Sequence, residues 1–441
     1  MTALAFQGTP RSAAVPVSTG PGIATPNTSS MPLAGEHFAA AILYLLAGAV
    51  GLVWIAPDLA MGAYVSPGVA GVTHLFTLGW LTTTIFGALY QLLPVALAAP
   101  VRSTRLGHAS FWTFAPGAGL FACGVAENST MLYHAGVCLV AAGIVLALVN
   151  IGSSLPRSRS RDVTWAAVSI ALAFLASTLV LGVILLHNIH TGFIAAARVR
   201  VLAIHLHVAV VGWALIMMVG VSHRLLPMFL LAHGADTRWT KRSLASLGAG
   251  VLTVGVGLAT DHVGIAWAGV AALEAGVACF LWQAFSFYRV RVRKKIDVGM
   301  QFAATALAFL TTAAVLGPFV LARGAGHARL ATAYVAVGLL GGIVLYVTGF
   351  FYKIVPLLAW TAHYRGRMGK ERVPTVAEMF SARVAHVQLA AMALGVALLA
   401  GGIGAGSSIV TRAGAVLFAC GVALFASQIA RVALGGLSQH S

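Results

Sequence analysis

The stretch HLHVAVVGWALIMMVGVSHRLLP, residues 205–227, is apolar enough to cross a membrane, yet it carries three histidines and one arginine. Ionisable side chains inside a bilayer are costly and usually mark a functional site. A second stretch, HLFTLGWLTTTIFGALYQLLP at 74–94, matches residues 207–227 at seven of 21 ungapped positions, including the histidine, the Gly-Trp pair and the Leu-Leu-Pro ending. This match indicates an internal repeat.

A fainter third copy, GGIVLYVTGFFYKIVP, covers residues 341–356. Gly341, Gly349 and Pro356 keep the register, but Ala336 takes the position of the histidine. The chain therefore reads as three four-helix units whose second helix carries the motif, at about 38–152, 163–288 and 298–430. The glycines and the proline are typical of close helix packing and a kink, whereas the histidines need another explanation.

The composition predicts an all-α integral membrane protein. Charged residues make up 8% of the 441, apolar residues 59%, and the mean hydropathy is +0.93. Windows of about 20 apolar residues predict twelve transmembrane helices in three pseudosymmetric four-helix arcs. Residues 1–33 are predicted to be a disordered tail, and residues 34–441 the membrane domain. The windows are 38–56, 69–98, 105–126, 130–152, 163–187, 199–230, 243–260, 262–288, 298–321, 328–361, 383–403 and 407–430.

The net charge of +17 reflects membrane orientation and not nucleic-acid binding, because the basic residues lie in short loops. About 20 of them are in the two tails and the loops after even-numbered helices, and about five are in the other loops. By the positive-inside rule both termini are cytoplasmic, in a multi-pass protein of a bacterial-type inner membrane. His74, His205 and His207 then lie in the outer third of the bilayer.

The His-x-His pair of the sixth predicted helix suits two sites. Residues two apart on an α-helix point about 200° away from each other, so His205 and His207 serve opposite flanks. Imidazole is a common axial ligand of haem iron. Together with His74 at the repeat-equivalent position, the pair predicts cofactor ligation.

These residues resemble the His-x-His helix of haem-copper oxidase catalytic subunits (cytochrome c oxidase subunit I), especially the branch with b-type haems and the related nitric oxide reductases. The resemblance implies twelve helices in three arcs, haem b held by His205 and His207, and copper or non-haem iron beside a haem. By it, His205 holds the haem that reacts with gas. The family carries the motif in its third arc and uses an adjacent His-His pair for copper, whereas here the motif is in the second arc and no such pair occurs. The shorter NnrS-type proteins are a similar divergent group.

Two arrangements of His74 follow from the resemblance and the repeat. In the first, which the repeat favours, His74 and His207 share one low-spin haem. In the second, His74 flanks a metal beside the haem of His205.

Two further sets of polar residues are candidates. His187 and His190 share a helix face and, with His134, could bind a metal ion near the outer surface; the alternative is histidines in interfacial water. Glu274 is the carboxylate deep inside a predicted span, and a proton-relay role and a hydrogen-bonded packing role fit it equally.

Three functions are compatible with these features. The first is a membrane redox protein that reacts with oxygen or nitric oxide and takes electrons from a donor protein or quinol. The second is a non-catalytic haem or copper protein in nitric oxide stress or metal handling. The third is a secondary transporter, although transporters more often contain inverted repeats and the units here are parallel.

The charge distribution predicts that the loop 289–295 is cytoplasmic. Single cysteines placed there should react with a membrane-impermeant maleimide in inside-out vesicles and not in intact cells. Reaction in intact cells would contradict the orientation.

Overall fold

The structure, a computed structural model, describes residues 31–232 and 236–435, except the side chains of His190 and Ala325. The regular elements in that part are all helical, and twelve helices are long and apolar enough to cross a bilayer. The predicted twelve-helix, all-α architecture is confirmed. The spans are α1 Met31–Trp54, α2 Pro67–Ala96, α3 Thr104–Ala126, α4 Thr130–Gly152, α5 Val163–Thr191, α6 Ala195–Leu230, α7 Arg238–Ala259, α8 Val263–Arg289, α9 Val298–Arg323, α10 Ala328–Arg367, α11 Ala382–Ala405 and α12 Ser408–Ala433.

The start of the first helix differs from the prediction. The first described residue, Met31, is already helical, so α1 extends N-terminal to residue 38, and residues 31–33 of the predicted tail are helical. The remainder of the predicted tail, residues 1–30, lies outside the described residues.

The outer faces of the bundle are apolar, as contact with lipid requires. We number the units 1 (α1–α4), 2 (α5–α8) and 3 (α9–α12). Large apolar side chains are exposed in all three, for example Leu43 on α1, Val180 on α5 and Val416 on α12. Exposed apolar surface of this extent marks a membrane interface and not a soluble surface. The protein is therefore a multi-pass membrane protein.

Each motif helix contains a π-helical segment, in which backbone hydrogen bonds span five residues. The segments are Leu75–Thr82 in α2, His207–Leu215 in α6 and Val337–Val344 in α10. Each begins within one residue of the histidine position of the repeat. π segments are rare and frequently occur at functional sites. Their recurrence at the same position in all three units shows that the repeat is present in the backbone conformation as well as in the sequence.

A glycine in each π segment admits an aromatic ring from the first helix of the same unit. A Cβ built at Gly79 would lie only 2.5 Å from the Tyr44 ring, so a larger residue has no room. This close approach agrees with the predicted packing role of the motif glycines. The three pairs are Gly79–Tyr44, Gly212–Phe174 and Gly341–Phe309.

The third and fourth helices of each unit form a glycine-lined hairpin. Four glycines recur in all three hairpins at intervals of 7, 12 and 7 residues. A Cβ at Gly402, for example, would lie 2.4 Å from the backbone nitrogen of Thr411, so the facing backbones touch. The spacing is a second signature of the repeat. The sets are Gly117, Gly124, Gly136 and Gly143; Gly250, Gly257, Gly269 and Gly276; and Gly395, Gly402, Gly414 and Gly421.

The three units close into a ring around the motif helices. α4 packs on α5, α8 on α9 and α12 on α1, while α2, α6 and α10 meet at the centre. The indole N–H of Trp213 donates to Thr82 Oγ1 at 3.1 Å, which joins α6 to α2. The hydroxyls of Ser222 and Tyr346 share a hydrogen bond of 2.6 Å, which joins α6 to α10. Polar contacts thus connect the units at their shared axis.

Two units tie their first helix to their motif helix with an ion pair. Asp162, the N-cap of α5, pairs with Arg224 of α6, and Asp297, the N-cap of α9, pairs with Lys353 of α10. In unit 1, Gln91 takes the place of the cation, and the first turn of α1 contains no acidic residue. Unit 1 therefore lacks this contact.

The hairpin packing predicts opposite effects for two neighbouring glycines. Gly402→Ala should lower the free energy of unfolding by about 1–3 kcal/mol or more because it overpacks the contact with Thr411. Gly401→Ala is the control, since a Cβ there meets nothing within 4 Å, and it should be neutral or slightly stabilising. Thermal unfolding in detergent, followed by circular dichroism, measures both. Equal stabilities would contradict the hairpin geometry.

The Asp162 ion pair predicts a pH-dependent contribution to stability. Burial alone would raise the pKa of Asp162, but the backbone N–H of Trp165 and the Arg224 guanidinium outweigh it and hold the pKa below its usual value. The ionised Asp162 therefore contributes its full stabilisation at pH values above the pKa of aspartate in the unfolded chain, about 3.9. This stabilisation is lost as the pH falls through the lower pKa that Asp162 has in the folded protein.

At neutral pH, Asp162→Ala should lower the unfolding free energy by about 0.5–2 kcal/mol through the lost cap, and the difference from wild type should shrink near pH 3. Unfolding in detergent at both pH values measures it. Asp261→Asn is the control, because Asp261 forms an exposed pair with Arg200, such pairs contribute little, and asparagine tolerates the positive φ of 57° at this position. A difference that does not change with pH would contradict the account.

Candidate functional site

A cleft between units 1 and 2 contains two of the three predicted cofactor ligands. α2, α3 and α4 form one wall, α5 and α6 form the other, and His74 and His205 line it among mostly apolar side chains. Its cavity volume is about 80 Å³, whereas cofactor pockets typically measure about 300–1,000 Å³. The two walls of the cleft therefore lie close together in this structure.

His74 is held in a form that can bind a metal. It directly precedes the π segment of α2, and its Nδ1 lies 2.7 Å from the Ala70 carbonyl. This contact assigns the proton to Nδ1 and leaves the Nε2 lone pair available, as in many metal-ligating histidines. The Phe121 ring packs edge-on against the imidazole, with centroids 5.0 Å apart. Because His134 and His386 make the same bond at exposed positions, the apolar cleft is what distinguishes His74.

His205 enters the cleft from the opposite wall. Gly182 of α5 makes room for it, since a Cβ there would lie 3.4 Å from His205 Cε1. A hydrogen bond with the Thr178 backbone contributes to the electrostatics of the His205 ring, while its buried Nδ1 has no partner of full hydrogen-bond geometry among the described residues. His74 is close enough for the two charges to interact. Leaving a buried polar atom unpaired costs about 1–3 kcal/mol, so this nitrogen is suited to an added ligand.

His207 does not line this cleft. Its Nδ1 lies 2.8 Å from the Ala203 carbonyl, which repeats the bond between His74 and Ala70. The structure thus separates the two histidines of the motif, as their spacing predicted, but it brings His74 to His205 and not to His207. The physical reason is that equivalent positions in successive units of a ring face successive interfaces.

The interface between units 2 and 3 has a different polar set at the same positions. Tyr334 takes the place of His205 in the repeat, and Gly317 takes that of Gly182. A Cβ at Gly317 would lie 3.4 Å from Glu274 Oε1 and 3.7 Å from Tyr334 Cε2, so the carboxyl group and the ring converge there. Within the described residues Glu274 forms no ion pair. Tyr334 was not among the residues predicted from the sequence. It lies two residues before Ala336, as His205 lies two residues before His207, so an alignment of the repeats that began two residues earlier would have found it.

The interface between units 3 and 1 is apolar at these positions. Ala336 replaces the histidine of the repeat, and Val72 replaces the histidine of the cleft. Phe76 and Phe418 are fully buried and pack edge-on, with ring centroids 6.3 Å apart. The interface between units 1 and 2 is therefore a cleft with two histidines, that between units 2 and 3 brings Tyr334 close to Glu274, and that between units 3 and 1 is filled by aromatic rings.

The second predicted metal site is not assembled by the described side chains. His134 and His187 are exposed, and the His187 ring lies near Phe193, with centroids 5.4 Å apart. The side chain of His190 lies outside the description. Within residues 31–232 and 236–435, no group of three or more His, Cys, Asp or Glu side chains is placed to hold a metal ion. Because His190 is one of the three predicted ligands, this metal site and the interfacial alternative both stay predictions.

Comparison of the sequence with protein-family models and with curated proteins gives no match.

Proposed function

We propose that the cleft between units 1 and 2 binds a b-type haem and that the protein is a membrane redox protein that reacts with oxygen or nitric oxide. The observation that carries the proposal is the placement of His74 and His205 on opposite walls of one apolar cleft. An axial histidine and an apolar pocket are what haem requires of a protein. Haem b is the form that needs no attachment cysteines, and the sequence has no Cys-x-x-Cys-His.

The number of ligands favours haem over a lone metal ion. A closed zinc or similar site needs about four protein ligands, and the cleft offers two histidines. Haem supplies four nitrogens of its own and needs one histidine, with a second optional. Because the cleft is narrow, the side chains on its two walls must separate further to admit the macrocycle.

His205 would hold the haem iron, and His74 on the opposite wall of the cleft would be available to a gas or a second metal. Of the two arrangements derived from the sequence, the pairing of His74 with His205 supports the second. Bound haem supplies the redox centre, and the protein keeps water away from it with the apolar walls of the cleft. Electrons come from a separate donor protein or a quinol, and the protein resides in the inner membrane with both termini cytoplasmic.

One observation favours the non-catalytic alternative as a second candidate. Reduction of oxygen in haem-copper oxidases uses a copper ion held by three histidines, and no such group is present among the described residues. A protein with haem alone could bind nitric oxide without turnover. Consumption of oxygen or nitric oxide by the purified protein with an artificial electron donor distinguishes the two functions.

The proposed ligation predicts separable effects of the three histidines. His205→Ala should abolish carbon monoxide binding to the reduced protein, because the haem loses its axial ligand. His74→Ala should retain the haem and change the spectrum of its carbon monoxide adduct or the amount of a second bound metal. A pyridine haemochrome assay, visible spectra and metal analysis measure these outcomes.

His207→Ala is the matched control, since it removes the same side chain two residues away but outside the cleft. It should leave carbon monoxide binding unchanged. Loss of binding in His207→Ala but not in His205→Ala would reverse the assignment. Absence of haem from wild-type protein made with ample haem supply would defeat the proposal and favour the transporter.

A further inference from the structure

Each glycine-lined hairpin has an open end, where its first helix begins and its second helix ends, and an amide side chain holds this end together. In unit 2, Gln283 Nε2 of α8 donates to the Asp236 carbonyl at 2.7 Å, and Gln283 Oε1 accepts from the backbone N–H of Thr240 at 3.3 Å. The same contact recurs at equivalent positions of the other units. The three open ends therefore share one arrangement, and their side chains can be compared position by position. The amide residues and their partners are Asn150 with Ser103, Gln283 with Asp236, and Gln428 with Ser381.

The open end of the unit 2 hairpin carries a cluster of three aromatic rings. Trp239 of α7 and Trp282 of α8 have ring centroids 6.4 Å apart, and the centroids of Trp282 and Phe285 are 5.9 Å apart. Trp282 and Phe285 are 53% and 55% exposed, so the cluster lies on the outside of the bundle. The other units have small or aliphatic residues at these positions: Leu106, Val149 and Gly152 in unit 1, and Val384, Ser427 and Ala430 in unit 3.

Two arginines adjoin this aromatic cluster. The guanidinium carbon of Arg242 lies 4.6 Å from the centroid of the Trp239 ring. Arg289 follows Phe285 by four residues and Trp282 by seven, which places all three on one face of α8. Side chains on a helix lean toward its N-terminus, so Arg289 leans toward the rings. Both arginines are exposed, and neither forms an ion pair among the described residues.

A general membrane-boundary composition does not explain this cluster. Tryptophan and basic residues are enriched wherever helices cross the boundary of a bilayer, and such enrichment would predict similar side chains at all three open ends. Ala109 and Val387 instead take the place of Arg242 in units 1 and 3. The acidic residue at this end, Asp236, is paired with Arg238. Unit 2 therefore differs from its two internal controls in both charge and aromatic surface.

We propose that the open end of the unit 2 hairpin binds an anionic phospholipid of the adjacent leaflet. Arg242 and Arg289 contact the phosphate of the headgroup, because a guanidinium donates paired hydrogen bonds to phosphate oxygens. Trp282 and Phe285 pack against the acyl chains, because exposed rings at the boundary present apolar faces to lipid. Free phosphate would leave these rings uncovered, so the ligand is a lipid. This site is independent of the proposed haem.

Native mass spectrometry of the intact protein in detergent, titrated with phosphatidylglycerol or phosphatidylcholine, tests the site. Arg242→Ala combined with Arg289→Ala should weaken binding of the first phosphatidylglycerol molecule at least about fivefold, because two charge-assisted contacts are lost. The preference of the protein for phosphatidylglycerol over phosphatidylcholine should fall as well. Unchanged affinity and preference would overturn the proposal.

Arg383→Ala combined with Arg431→Ala is the matched control. It removes two exposed arginines from the open end of the unit 3 hairpin and changes the net charge by the same amount. Its affinity for the first phosphatidylglycerol molecule should equal that of the wild type. A loss as large as that of the unit 2 variant would overturn the proposal, since net charge alone would then set the affinity.

The aromatic half of the site is tested separately. Trp282→Ser introduces the residue that unit 3 has at the equivalent Ser427, and it should weaken binding of phosphatidylglycerol by removing a ring that packs on the acyl chains. An excess of inorganic phosphate should not displace the lipid from the wild-type protein. Full lipid affinity in Trp282→Ser together with displacement by phosphate would show a simple anion site and contradict the lipid assignment.

Discussion

A polar side chain inside this bundle needs a partner from its own or a neighbouring helix, because the surrounding lipid offers none. The ring of three units meets this constraint by placing the motif helices α2, α6 and α10 against one another. Trp213 finds Thr82 and Ser222 finds Tyr346 across unit boundaries. His205 Nδ1 is a buried polar atom without such a partner among the described residues, and it lies at the proposed ligand site.

The same repeated framework supports three different interfaces. Glycines hold the backbone in place in every unit, and the side chains at the histidine positions then vary without changing the fold. His74 with His205, Tyr334 with Glu274, and Phe76 with Phe418 mark the three interfaces in turn. This pattern is what divergence of a repeated unit produces: packing residues recur because every unit needs them, while the polar side chains differ from one interface to the next.

Much of the fold was predictable from the sequence because the bilayer imposes strong rules on span length and composition. The twelve helices, the repeat and the opposite orientation of His205 and His207 all follow from hydropathy and helical geometry. The pairing of His74 with His205 was not predictable, since it depends on how units rotate around a common axis, which spacing along the chain does not encode. Tyr334 and the hairpin glycines occur at positions that the repeat spacing relates to one another. Their importance could be recognised only once the interfaces between the units were known.

The central claim is that His74 and His205 share one cofactor site and that His207 lies outside it. A cryo-electron microscopy map of the protein purified with its native cofactors tests this directly. The account predicts planar haem density between α2 and α6, with His205 at the iron and His74 on the opposite face. Haem density beside His207 with the cleft closed, or lipid density alone in the cleft, would contradict it.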